Sequence, residues 1–215
     1  MIKVGYIDDV PDQFENYERK LRRVQIELIP FEVGAKKADY VDQIYQHQVE
    51  VLLIDYKMAS TIGFNGSALI SYINDEIPDM TCFILTSAER GHITDKLVIN
   101  SHIYSKDVFD TEADDAQKLE RFHEFVEQLR NCAEVYRSRR ELKCNEYEKL
   151  LDKKTNGTIS MPEEEELCRL YRALSSYGMV EKLSDALLQP SFEEKLDELL
   201  QIGNHILQKN KGSKK

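Results

Sequence analysis

The sequence has few cysteines, and their spacing forms no recognisable binding pattern. They are Cys82, Cys132, Cys144 and Cys168. No two of them make a C-x-x-C pair, and the intervals match none of those used by structural zinc sites. This absence argues against a zinc module and predicts free thiols in a reducing cytosol.

An excess of positive charge is also lacking. The 215 residues are 32% charged and carry a formal net charge of −10. Nucleic acids and anionic membranes both attract positively charged surfaces, so neither is the expected partner. The acidity is concentrated in residues 1–113, which hold 19 acidic and 11 basic residues, against 20 and 18 in residues 114–215.

Long apolar runs are absent as well. No run approaches the roughly 18 residues of a membrane span. No signal peptide precedes residue 3, where a strand is predicted to begin. We therefore expect a soluble, cytoplasmic protein. The hydrophobic content of 41% is enough for a core, and the length fits one ordinary domain with a smaller second one.

The first half of the chain alternates between short β-rich runs and segments with helical periodicity. Strands are predicted at 3–7, 26–31, 49–54, 81–85 and 101–105. Helices are predicted from Pro11 to about 24 and at 38–45, 68–73 and 93–98. Alternation at this spacing is typical of βαβ units, so we expect an α/β fold with a parallel sheet.

Polar residues follow four of these strands directly. Asp8 and Asp9 follow the first strand, Asp55 the third, Thr86 the fourth and Lys106 the fifth. Each alone has an ordinary explanation as a helix cap or a solvated side chain. In one parallel sheet, however, all of them open onto the same edge, where three carboxylates would repel unless a divalent cation such as Mg²⁺ and an ammonium group neutralised them. This is the outline of a phosphoryl-transfer site.

These residues carry a resemblance to a known family. The matching elements are the pair Asp8-Asp9, Asp55 within I-D-x-x-M, Gly63 eight residues later, Thr86 and Lys106. Over about the first 110 to 125 residues, the sequence resembles the receiver domain of bacterial two-component response regulators. The resemblance implies a five-stranded, doubly wound, flavodoxin-like parallel sheet in the order 2-1-3-4-5.

The resemblance also implies an acceptor and a cation site. Asp55 would accept a phosphoryl group from the phosphohistidine of a sensor histidine kinase or a phosphotransfer protein. Mg²⁺ would be held by Asp9, Asp55 and the backbone carbonyl of Lys57, with Asp8 acting through water. A protein of this kind is not a turnover enzyme; it accepts a phosphoryl group and can lose it by autodephosphorylation.

Two further roles are implied for the bound phosphoryl group. Thr86 and Lys106 would contact it. The aromatic residue that often reports the switch in this family lies three positions before the lysine, where this chain has Ile103; Tyr104, one position later, is therefore the candidate switch aromatic.

The sequence departs from the family pattern at two places. Ala59 stands where the family usually has proline, and an expanded loop follows it at residues 60–66. Asp107 follows Lys106 where proline is usual, which places an extra carboxylate beside the lysine. The site chemistry is complete, but we expect the relay from phosphate to the protein surface to be unusual.

The second half is predicted to be entirely helical. Apolar residues at helical spacing without Gly or Pro predict a long helix from about residue 114 to 154, and further helices are predicted at about 162–177, 180–188 and 192–208. We divide the chain into a receiver domain at 1–125 and a helical output or docking region at 126–215.

These observations predict a response regulator of a phosphorelay, in which Mg²⁺-dependent phosphorylation of Asp55 switches the protein–protein interactions of the helical region. The amphipathic long helix is compatible with a homodimer. Two alternatives stay open: a constitutive scaffold or adaptor with an unswitched receiver fold, and a response regulator with a nucleic-acid-binding output. The second lacks a concentrated basic surface, because Arg137, Arg139 and Arg140 form the one basic cluster of the second half.

Overall fold

A computed structural model describes residues 1–10, 12–87, 97–111 and 115–180. Its strands are β1 (Ile2–Ile7), β2 (Ile26–Pro30), β3 (Val51–Asp55), β4 (Thr81–Thr86) and β5 (Ile103–Ser105). Its helices are α1 (Phe14–Arg23), α2 (Lys37–His47), α3 (Ala59–Ile62), α4 (Gly66–Glu76), α5 (Ala116–Thr155) and α6 (Met161–Ser175). Short 3₁₀ turns cover Asn100–His102 and Lys106–Phe109.

The strands form one parallel sheet in the order β2-β1-β3-β4-β5. This confirms the α/β fold class and the order 2-1-3-4-5. The central strand β3 is buried along its whole length, as its unbroken apolar sequence predicts for a strand covered on both faces. Val51 and Leu53 pack in one core cluster with residues of α1 and α5. Since side chains alternate along a strand, Leu52 and Ile54 are directed to the opposite face.

Several element boundaries differ from those predicted. Strand β5 begins at Ile103 rather than 101, because residues 100–102 form a 3₁₀ turn. Helix α1 begins at Phe14. The predicted expanded loop after Asp55 contains α3, a single helical turn closed by hydrogen bonds from the N–H groups of Thr61 and Ile62 to the carbonyl of Met58, both 3.1 Å long.

Some predictions fall outside the described residues. These are Pro11 as a helix start, most of the predicted helix at 93–98, and the predicted helices at 180–188 and 192–208. Within the described ranges, no helix combines the length and apolar character needed to cross a membrane.

The chain divides into two compact units, Met1–Glu141 and Leu142–Lys215. The domain boundary at residue 125 stays a prediction. In the second unit, the long helix ends at Thr155, followed by Gly157 at a φ of +67°. Leu150, Leu167 and Leu170 then form the core of a helical hairpin.

Helix α6 begins close to the predicted residue 162, at a capping box. The backbone N–H of Ser160 donates to Glu163 at 2.9 Å, and the Ser160 hydroxyl donates to the same carboxylate at 2.8 Å. Lys153 also donates to Glu163. These hydrogen bonds, first that from Lys153 and then those from Ser160, lower the pKa of Glu163 to about 2.

Within the first unit, arginines of α5 contact the ends of the sheet where the strands begin. Arg137 forms a two-pronged ion pair with Glu50, which directly precedes β3, and its Nη2 donates to Oε2 at 2.6 Å. Arg139 Nη1 lies 2.9 Å from Asp79 Oδ1. Glu50 is almost buried, with 9% of its side chain exposed, so its charge depends on Arg137 for compensation. Arg137 and Arg139 are therefore not simply a solvated basic patch.

We predict that Arg137→Met lowers the free energy of unfolding by about 1–2 kcal/mol, because it leaves the buried carboxylate of Glu50 without its charged partner. The exposure of Arg137 keeps this value below that of a fully buried pair. Urea unfolding followed by circular dichroism measures the change.

Arg139→Met is the matched control. Its partner Asp79 is more exposed, so its loss is expected to cost less than about 0.5 kcal/mol. Equal effects of the two substitutions would contradict the proposed importance of the burial of Glu50.

Candidate functional site

The register of the sheet brings the predicted acidic residues together. Ile7 pairs with Ile54 across β1 and β3, so Asp8 and Asp55 leave the sheet side by side at its carboxyl edge. Each of Asp8, Asp9 and Asp55 presents a carboxylate oxygen within 4.8 Å of the other two. Asp8 and Asp55 are buried and Asp9 is half-buried. The structure therefore assembles the three carboxylates that the sequence predicts at one sheet edge.

Lys106 joins this cluster from the 3₁₀ turn after β5. Its Nζ lies 2.8 Å from Oδ2 of Asp8 and 2.7 Å from Oδ1 of Asp55. Burial acts to lower the pKa of Lys106, but the hydrogen bonds and charges of Asp55 and Asp8 outweigh it, so the pKa is raised. The neighbouring Asp107 is exposed, while the Lys106 ammonium is held by the two buried carboxylates.

Within the described part of the chain, three donors hold Asp8. Besides Lys106, the hydroxyl of Tyr6 donates to Oδ2 at 2.6 Å, and the backbone N–H of Val10 donates to Oδ1 at 2.9 Å. Burial and the contact with Asp8 both raise the pKa of Tyr6, so the phenol keeps its proton. Tyr6 is not among the site residues predicted from the sequence. Its position on β1, two residues before Asp8, was the available signal, because residues i and i+2 share a face along an extended chain.

Asp55 is oriented by the chain that follows it. The backbone N–H of Lys57 donates to Oδ2 of Asp55 at 2.7 Å, and the N–H of Tyr56 donates to the carbonyl of Leu85 in β4 at 3.1 Å. Gly66, at the start of α4, packs directly against the Asp55 backbone: a Cβ there would lie 2.3 Å from the Asp55 carbonyl oxygen. The role of the Lys57 carbonyl as a metal ligand stays a prediction.

Asp9 has a different partner. The hydroxyl of Thr61, on α3, donates to Oδ2 of Asp9. Thr61 was also missed by the sequence argument, and no local pattern marks it, because its contact with Asp9 depends on how the segment after Asp55 folds back over the site.

Thr86, predicted to contact the phosphoryl group, and Tyr104, the candidate switch aromatic, lie on neighbouring strands. Thr86 ends β4, is buried, and pairs in register with Ser105. Tyr104 is half-buried on β5, with its ring centroid 4.7 Å from that of Phe125 and 5.7 Å from that of Phe83. Their roles in contacting phosphate and in switching stay predictions.

The charge of the cluster fits a divalent cation. Three carboxylates and one ammonium leave a formal charge of −2 at the site, and Asp8 and Asp55 are shielded from water. Leaving such charge uncompensated is costly in a partly buried site. Carboxylate oxygens are the ligands that Mg²⁺ prefers, so the residues present fit the cation that the sequence predicts.

Comparisons with known proteins return response regulators among solved structures. One is TrrA from Thermotoga maritima, in complex with Mg²⁺ and BeF, at 18% identity and a TM-score of 0.44, covering 60% of this chain and 99% of that chain. Another is RcsB from Salmonella enterica serovar Typhimurium, bound to promoter rprA, at 16% identity and a TM-score of 0.44, covering 91% and 92%. A third is the complex of histidine kinase ThkA with TrrA, at 16% identity and a TM-score of 0.42, covering 60% and 98%.

No family model and no curated protein matches the sequence.

Gly66→Ala tests the close approach of α4 to the backbone of Asp55. We expect it to lower the free energy of unfolding by about 2–3 kcal/mol, because the new Cβ forces either α4 or the Asp55 backbone to move. Gly63→Ala is the control, since its Cβ would meet nothing within 4 Å and only its φ of +83° opposes a side chain. It should cost about 1 kcal/mol, and a larger loss there than at Gly66 would contradict the packing argument.

Lys106→Met tests charge compensation within the cluster. We expect a loss of about 1–3 kcal/mol in unfolding free energy at neutral pH, because two buried carboxylates lose their ammonium partner. The raised pKa gives the sign of the pH dependence. The stability that Lys106 contributes is fully present at pH values below 10.5, the ordinary pKa of a lysine. It is lost as the pH rises through the higher pKa that Lys106 has in the folded state.

Urea unfolding at neutral and strongly alkaline pH measures the difference in unfolding free energy between the wild type and Lys106→Met. This difference should shrink only at strongly alkaline pH. Lys57→Met removes an exposed ammonium nearby and should have little effect. A difference that shrinks already at neutral pH would contradict the assignment.

Proposed function

We propose that the first unit is the receiver of a response regulator in a phosphorelay, and that Asp55 accepts a phosphoryl group in a Mg²⁺-dependent reaction. The donor is the phosphohistidine of a sensor histidine kinase or a phosphotransfer protein. One observation carries the proposal: the Lys106 ammonium bridges Asp8 and Asp55 beside a third carboxylate, Asp9, at the carboxyl edge of a parallel sheet.

The chemistry needs a carboxylate nucleophile and a way to neutralise the phosphoryl oxygens. An oxygen of Asp55 forms a bond to phosphorus while the phosphorus–nitrogen bond breaks, and the imidazole takes back the electron pair and takes up a proton. Bound Mg²⁺ supplies charge neutralisation for the transferring oxygens. Lys106 already contacts Asp55, so its N–H donors can bind a phosphoryl oxygen on that residue.

The hydrogen bonds of the acidic residues support different roles for them. A carboxylate offers about four lone-pair positions, and three protein donors already use those of Asp8. This supports Asp8 acting on the cation through water, with Asp9, Asp55 and the Lys57 carbonyl as direct ligands.

After phosphoryl transfer, the Thr86 hydroxyl contacts the phosphoryl group from the end of the neighbouring strand. Tyr104, one strand further along, changes its packing against Phe83 and Phe125 as the switch aromatic. The protein is not a turnover enzyme, because the phosphoryl group stays on Asp55 until water removes it. The phosphorylation state of Asp55 changes the helical region, which then binds a different protein partner or alters its self-association.

The charge distribution supports a protein rather than a nucleic acid as the partner of the helical region. The net charge is −10, and two of the three clustered arginines, Arg137 and Arg139, are engaged by Glu50 and Asp79. Contacts to DNA phosphates require arginines or lysines that are available to the ligand.

Incubation with acetyl phosphate and Mg²⁺ should add one phosphoryl group to the full chain, detected by intact-mass spectrometry and mapped to Asp55. Asp55→Asn should abolish the addition, because an amide is not a nucleophile for phosphorus. Omitting Mg²⁺ should reduce it strongly.

Glu50→Gln is a matched control, since it alters a buried acid at the opposite edge of the sheet. It should leave the modification intact. An unmodified wild-type chain would support the constitutive scaffold instead, and modification that survives Asp55→Asn would reject Asp55 as the acceptor.

A further inference from the structure

Thr61 contacts the acidic cluster from outside the set of site residues predicted from the sequence. It lies on α3, the helical turn that follows Asp55, and its hydroxyl donates to Oδ2 of Asp9. We propose that Thr61 is a positioning residue for the divalent cation, which holds the Asp9 carboxylate in its ligating orientation. The inference rests on the proposed function, because it concerns the Mg²⁺ site of the same reaction.

Asp9 is the carboxylate that needs such a partner. Asp8 is fixed by Tyr6, Val10 and Lys106, and Asp55 by Lys106 and the N–H of Lys57. Lys106 forms its ion pairs with these two and not with Asp9. Asp9 is also the most exposed of the three acidic residues. Among the described residues, Thr61 is the hydrogen-bond partner of Asp9, and without it the Asp9 side chain would have to be ordered by the cation itself, at an entropic cost.

The turn that carries Thr61 is anchored on both sides. Before it, Met58 is completely buried, and its carbonyl accepts the N–H of Thr61 at 3.1 Å. After it, the ring of Phe64 packs edge-on against Tyr40, with centroids 6.2 Å apart. Asn65 then caps α4 by accepting the N–H of Ala68 at 2.9 Å. The Thr61 hydroxyl is therefore presented to Asp9 by a segment that is already held in place.

This hydrogen bond leaves Asp9 able to bind a cation. The hydroxyl uses one of about four lone-pair positions of the carboxylate, so the others stay available to a metal. Partners of this kind orient metal ligands, and their loss typically weakens metal binding by about 10- to 100-fold. The bond to Thr61 is solvent-exposed, so we expect an effect near the lower end of that range.

The test is Mg²⁺ binding to the full chain, measured by isothermal titration calorimetry with MgCl₂ and no phosphoryl donor. Thr61→Val keeps the shape and β-branching but removes the hydroxyl, and it should raise the Kd for Mg²⁺ about tenfold. Thr61→Ser restores the hydroxyl and should bind close to wild type. Urea unfolding without Mg²⁺ separates this effect from a general loss of stability, which should be small for an exposed side chain.

The Asp9→Asn background shows whether Thr61 acts through Asp9. There, adding Thr61→Val should change Mg²⁺ affinity little, because the carboxylate that Thr61 orients is gone. An equal loss in both backgrounds, or unchanged or tighter binding by Thr61→Val alone, would overturn the inference and leave the proposed function intact. Absence of Mg²⁺ binding by the wild-type chain would overturn the proposed function itself.

Discussion

The ion pairs of Lys106 with Asp8 and Asp55 are the interaction on which the site depends. They join residues at the carboxyl ends of three different strands, so they exist only when β1, β3 and β5 lie parallel with those ends at one edge. The ammonium compensates two buried carboxylates, and the charge that remains makes a divalent cation favourable. The same constraint that keeps the acidic edge stable thus places Asp55 where the proposed phosphoryl transfer requires it.

The segment after Asp55 is one of two places where the sequence departs from the pattern of the family that it resembles. The residues that suggest an expanded loop in the sequence form the turn α3, held between buried Met58 and the packed ring of Phe64. This fixed turn brings Thr61 to the acidic cluster. The departure from the family pattern therefore adds a contact to the site rather than loosening it.

Charged residues at the opposite edge of the sheet form ion pairs that join α5 to the sheet. Arg137 and Arg139 resemble a basic cluster in the sequence, but they pair with Glu50 and Asp79 at the start of β3 and before β4. Since Glu50 is nearly buried, its pair with Arg137 ties α5 to the sheet. Counting basic residues along a helix therefore overestimates the charge that it offers to a nucleic acid.

The sequence by itself determined the features that depend on neighbours in the chain. Short β-rich runs and helical periodicity identified the strands and most of the described helices, and the alternation of the two predicted a parallel sheet. The positions directly after the predicted strands identified Asp8, Asp9, Asp55 and Lys106 as site residues. Tertiary structure alone decided which distant side chains meet. Thr61 and Asp9 are 52 residues apart, and Arg137 and Glu50 are 87 apart. Contacts at such separations depend on how whole elements pack and how the intervening segments close, and no local periodicity records either.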